Sequence, residues 1–125
     1  MDDEPLETVK RMWIDYREQG VAVALAHLHP DVEFHAFEGG TFIGHDGVRE
    51  FFSSFDGEVS FTASPYTFEP CGVGVIVAGH RRIHSPGTED SQYMYFSHHV
   101  TDGLITRIAA WPDREAATQD LTPES

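Results

Sequence analysis

A chain of 125 residues and 14.0 kDa is the size of one domain with one core, and its 40% hydrophobic and 12% aromatic content excludes a disordered chain. With 21 acidic against 8 basic residues, the formal charge of -13 repels phosphate backbones and anionic surfaces, so neither nucleic acid nor a membrane is expected as a partner. The single cysteine, Cys71, excludes an internal disulfide and a cysteine-rich metal site.

No charged-then-apolar leader opens the sequence, and no apolar run approaches the roughly 18 residues that span a bilayer, so a cytoplasmic location is expected. Leu6, Val9, Trp13 and Tyr16 recur at helical spacing between Pro5 and Gly20, which predicts an amphipathic helix. Val21 to Leu28, rich in alanine and leucine and closed by Pro30, predicts a short second helix folded back on the first. Val32 to Phe37 then reads as a strand, Gly39-Gly40 as a turn, and Thr41 to Ile43 as a short extended piece. Asp46 is placed to cap a third helix, whose inner face carries Val48, Phe51, Phe52 and Phe55.

From Ser60 the period changes to two. Strands are predicted at Ser60 to Glu69, Val73 to His84, Ser91 to Thr101 and Leu104 to Trp111, separated by Pro70-Cys71-Gly72, Ser85-Pro86-Gly87 and Asp102-Gly103. Successive strands joined by turns make an antiparallel meander. Asp113 to Leu121 predicts a last helix, followed by a frayed tail from Thr122 to Ser125. No internal repeat divides the chain, so residues 1–125 are read as one domain.

This order of elements resembles the nuclear transport factor 2-like superfamily, which includes ketosteroid isomerases and SnoaL-like polyketide cyclases. The resemblance rests on Leu28-His29-Pro30-Asp31-Val32-Glu33-Phe34-His35, on Phe42 to Phe52 with its Gly44-His45-Asp46-Gly47 core, and on Thr101 to Arg107 followed by Trp111 and Asp113-Arg114-Glu115-Ala116. It implies an α+β cone-shaped barrel, with a curved antiparallel sheet wrapped around the helices, an apolar pocket for a small lipophilic molecule, and homodimerisation through the sheet's outer face. It does not imply one reaction, because the fold hosts isomerases, cyclases, hydrolases, dehydratases and binding proteins. The residues of ketosteroid isomerases are not matched: Trp13 falls where their tyrosine stands, Ala36 where the aspartate base stands, and Met94 where the protonated acid stands.

A two-residue turn at Asp102-Gly103 would pair His98 with Arg107, Phe96 with Ala109 and Met94 with Trp111 on one face. Tyr93, Tyr95, Ser97 and His99 would take the other face, which is the expected dimer surface. On this register His98 is the candidate base, and Arg107 the candidate stabiliser of an oxyanion in an isomerisation, cyclisation or dehydration. The alternative is a polar pair closing one end of the barrel, in a module that binds without turnover. Trp13, Tyr16, His35, Phe52, His80, Met94, Phe96 and Trp111 are the expected pocket residues, with Glu38 a nearby acid at the mouth.

No metal and no cofactor are expected. His80 and His84 share a strand face but stand about 13 Å apart at about 3.3 Å per residue. His98 and His99 point to opposite faces, which leaves only a cross-strand set such as His35, His80 and His98. Gly39-Gly40 and Gly44 lack the lysine and the parallel-strand context of a phosphate cradle.

Overall fold

In a computed structural model, residues 4–36, 40–53 and 60–122 are described; Phe37, Glu38, Gly39, Phe55 and the end of the tail lie outside the described residues. The first helix, α1 (Glu4–Gln19), buries Val9, Met12 and Trp13. It stops at Gly20, whose φ of 100° takes the chain out of the helical region. The Gly20 N–H still closes the last turn, onto the carbonyls of Asp15 at 3.1 Å and Tyr16 at 3.0 Å.

The second helix is shorter than predicted. Its single turn α2 (Val21–Ala24) tightens into a 3-10 turn, Leu25–His27, and strand β1 (Leu28–His35) begins four residues ahead of the expected start at Val32. Pro30 thus lies inside a strand rather than closing a helix. The position tolerates it because the pairing of β1 with its neighbour is irregular between Leu28 and Glu33, and β2 covers only Glu33 to His35 on the other side. Its missing N–H therefore removes no regular ladder bond.

After β2 (Thr41–Ile43) comes α3 (Gly44–Ser53), which starts two residues before the expected cap. Asp46 lies within its first turn and accepts from Arg49 at 2.7 Å. The meander is as predicted, with β3 (Ser60–Cys71) and β5 (Thr88–Thr101) longer, β4 (Gly74–Ser85) shifted by one residue and β6 (Leu104–Trp111) at the expected bounds. The chain ends in α4 (Arg114–Leu121), where the Asp113 side chain accepts from the Ala116 N–H at 2.9 Å, a cap worth about 1 kcal/mol.

The strands form one curved open sheet in the order β2-β1-β6-β5-β4-β3. Every neighbouring pair is antiparallel except β1 with β6, which is parallel. The inner face carries Val75, Val77, Met94, Phe96, Ile105 and Ile108 against α1 and α3. On the outer face α4 lays Ala117 and Leu121 over Ile76, with Trp111 and Tyr95 alongside. Each of these large side chains contributes roughly 1.5 to 3 kcal/mol when fully buried. The α+β architecture expected from the order of elements is thus the one observed.

Candidate functional site

One extra residue in β6 decides which side chains face the interior. Asp102 and Gly103 make the expected tight turn, with φ of 53° and 80°, and the register starts as predicted at Thr101↔Leu104 and Val100↔Ile105. The register then shifts between Val100 and His99, so that His99 faces Arg107, His98 faces Ile108, Phe96 faces Ala110 and Tyr95 faces Trp111. Because side chains alternate, one inserted residue turns every later one to the opposite face. The expected His98-Arg107 pair does not form. Arg107 and Trp111 point outward, while His98 stays inside.

The interior holds a cavity of about 80 Å³, enough for several water-sized groups. Its walls come from α1, the turn after it, α3 and the inner sheet face, and include Trp13, Tyr16, Phe52, Phe96 and His98 from the predicted set. Met94 lies in the same core, fully buried, but does not line the cavity. Leu25, Phe34, Phe61 and Ile108 are among the other lining residues and were not expected there from the sequence. Inward alternation of Phe34 on β1 and Phe61 on β3 is the signal that would have found them, once each strand's register is known.

Trp13 and His98 carry a buried polar contact behind the apolar cavity wall. The Trp13 indole N–H donates to His98 Nε2 at 3.1 Å, and His98 Nδ1 lies 3.1 Å from the Phe96 carbonyl oxygen. An indole nitrogen is only a donor, so Nε2 must carry its lone pair and Nδ1 the proton that goes to Phe96. The imidazole is therefore neutral. Complete burial acts the same way, pushing its pKa down to about 4 against weaker opposing bonds from the backbone of Phe96 and Val75. The Tyr16 phenol is pushed up to about 12 by burial, partly offset by Arg17, so it is a neutral donor across the physiological range. Its hydroxyl makes no hydrogen bond among the described residues, and its ring packs on Trp13 and Phe52 at centroid distances of 6.2 and 5.5 Å.

The remaining predicted site residues lie on the outer face. Arg107 bonds Asp120 through Nε at 3.1 Å and Nη2 at 2.9 Å, and Nη1 reaches Glu33 at 3.1 Å and His35 at 2.6 Å. Asp120 also accepts from Ser97 Oγ at 2.7 Å and His99 Nε2 at 3.1 Å, and Trp111 Nε1 donates to Ser97 Oγ at 2.9 Å. Burial would raise the Asp120 carboxyl, but these bonds, led by Arg107 and Ser97, hold it below its ordinary value. The cluster pins α4 to the sheet; nothing local in the sequence marks Asp120 as its centre. His80 meets Tyr66 and Tyr93 on the same outer face. His35 and His80 are thus separated from His98 by the sheet, which dissolves the cross-strand set, and no cluster of metal-ligating side chains occurs among the described residues.

A long-stranded open sheet cupping helices over an apolar cavity defines the nuclear transport factor 2-like class of α+β proteins. Residues 9–108 match the SnoaL-like domain, and the chain belongs to that family. Among solved structures, an NTF2-like protein of unknown function from Burkholderia pseudomallei K96243 is similar, with 22% identity, a TM-score of 0.75, and coverage of 97% of this chain and 98% of that one. TerC, co-crystallised with polyporic acid, is similar at 26% identity and a TM-score of 0.72, over 97% of this chain and 99% of that one. A LEH-like epoxide hydrolase from Mycobacterium tuberculosis shares the fold at 15% identity and a TM-score of 0.71, over 94% and 84% of the two chains. Comparison with curated proteins gives no match.

Proposed function

We propose that this SnoaL-like domain binds a small lipophilic molecule in the inner cavity, with the Tyr16 hydroxyl as donor to an oxygen of the ligand. The observation that carries the reading is an apolar cavity walled by aromatic side chains, with the Tyr16 ring in its lining and the phenol free of hydrogen bonds among the described residues. TerC with polyporic acid and a designed 17-OHP binder of the same fold support small-molecule binding as a use of this cup.

Binding is favoured over turnover by His98. A base must present its lone pair to the substrate, whereas Nε2 is covered by Trp13 and Arg107 lies beyond the sheet. Proton-transfer chemistry with His98 as base requires the ligand to displace the indole first. The relatives that include an epoxide hydrolase and a putative polyketide cyclase keep that second reading testable.

The experiment is a titration with a panel of lipophilic ketones and quinones, followed by tryptophan fluorescence. Saturable binding is expected, weakened about tenfold in Tyr16→Phe, the equivalent of about 1.4 kcal/mol, and abolished by Ala24→Phe, which fills the cavity. Binding that survives Ala24→Phe would place the ligand elsewhere and end the proposal. Turnover of any bound compound that vanishes in His98→Gln would promote the enzymatic reading.

The proposal extends to a homodimer through the outer sheet face, where the half-exposed Tyr66 and Tyr93 stack 5.8 Å apart beside His80 and Tyr95. Aromatic side chains with polar tips suit such a contact.

A further inference from the structure

Alongside the cavity runs an open groove of about 490 Å³ between α1 and β3, lined by Trp13, Ile14, Arg17, Glu18, Pro65 and Phe68. Trp13 also lines the inner cavity and is almost completely buried, so its indole is the partition between the two spaces. The inner chamber presents only apolar surface, so it has no place for a charged group. The charged end of an amphipathic ligand must lie beyond it, and the groove is the space across the Trp13 wall.

The charge around that groove is unusual for this chain. Arg49, Arg81, Arg82, Arg107 and Arg114 each pair with a carboxylate. The cations of α1 form no ion pair among the described residues, although the chain has 21 acidic groups against 8 basic ones. Lys10 and Arg17 stand seven residues apart, two turns along one flank of the helix. The Lys10 ammonium lies 6.0 Å above the Phe68 ring, and Arg17 lines the same groove. Arg17 and Glu18 are the charged residues of the lining, and Lys10 stands at its edge over Phe68.

We infer that groove and cavity form one two-chamber site for an amphipathic carboxylate, whose apolar chain enters the inner chamber past Trp13 while the carboxylate stays outside on Arg17 and Lys10. This rests on the cavity reading given above and names the ligand class. The division follows the cost of burial: an ionised carboxylate cannot enter the apolar chamber, but retains water in the open groove beside two cations. Ile14, half-exposed beside Pro65 and Phe68, supplies the apolar path between them. Passage of the chain turns the indole and breaks its bond to His98.

The test compares decanoate with 1-decanol, which shares its chain but has no charge, by calorimetric titration and by the indole N–H resonance of Trp13. Decanoate is expected to bind about tenfold more tightly than decanol at low ionic strength, with the advantage shrinking as salt is added. Lys10→Gln with Arg17→Gln should remove that advantage and leave decanol unchanged; Arg49→Gln, on α3, should do neither. Decanoate should shift the Trp13 N–H signal. Equal affinities for the two probes, or an advantage untouched by the double substitution, would overturn the two-chamber site while decanol binding upheld the cavity. Decanoate binding with an unmoved Trp13 signal would also overturn it, by confining the ligand to the groove. Failure of both probes to bind would remove this inference, and the ketone and quinone titration would then judge the cavity alone.

Discussion

His98 is fully buried with both ring nitrogens occupied, and its neutrality has a consequence for stability. Its folded pKa of about 4 lies below the ordinary 6.5, so as pH falls the unfolded chain takes up the proton first. Its contribution is therefore complete above about 6.5 and is lost as pH falls toward 4, by roughly 3 kcal/mol at 1.36 kcal/mol per unit. Denaturant melts of the wild type should show this slope, and His98→Gln should flatten it in that window; parallel curves would show that the imidazole is not held neutral. Asp120 acts lower on the scale. Its carboxyl is held below 3.8, so what it contributes is present above that value and is lost on further acidification. Asp120→Ala leaves the buried Ser97 hydroxyl and Arg107 without their shared acceptor, and an exchange or melting experiment should find about 2 kcal/mol lost, with α4 loosened first. Histidine at position 98 was legible as an interior residue from alternation alone, whereas Asp120 was not, because its partners Ser97, His99 and Arg107 come from two other strands, β5 and β6.

At the scale of the element, the bulge in β6 governs the site. Deleting Thr106 would restore the uniform register, bringing Arg107 and Trp111 to the inner face and an unpaired guanidinium into an apolar chamber. That deletion is expected to abolish cooperative folding, while Thr106→Ala, which forfeits one long bond of 3.4 Å to the His99 carbonyl, should cost no more than about 1 kcal/mol. A cooperative, native-like melt of the deletion would contradict the assignment. Gly74 marks the other constraint on these strands. A Cβ there would lie 1.7 Å from the His98 carbonyl oxygen, so Gly74→Ala must push β4 from β5 at the level of the cavity floor. Loss of several kcal/mol is expected, visible as a lower melting temperature.

For the molecule as a whole, the sheet's two faces have different tasks. The inner face encloses the cavity; the outer face is covered by α4 at one end and carries the tyrosines at the other. If the tyrosine end is the proposed dimer contact, Tyr93→Glu should convert a dimer to a monomer in sedimentation without changing ligand affinity. A wild-type monomer at working concentration would remove the dimer. Charge opposes self-association at neutral pH and weakens in mild acid, where the 7 histidines other than the buried His98 can bring the formal charge from -13 toward -6. Solubility should accordingly fall as pH drops below about 6.5.

The sequence by itself determined the elements, because periodicity, capping and turn chemistry are local: α1 up to Gly20, the Asp102-Gly103 turn, the meander and the Asp113 cap all follow from neighbours within a few residues. It also carried the family, through motifs spread along residues 28 to 116. Only the tertiary structure decided which way β6 faces, that β1 starts at Leu28 and runs parallel to β6, and that Trp13 closes onto His98 from 85 residues away. A bulge costs one residue and leaves no mark in composition, yet it reverses every side chain beyond it. The site is therefore set by where the apolar enclosure excludes charge, sending Arg107 outward to a carboxylate and leaving the neutral imidazole within.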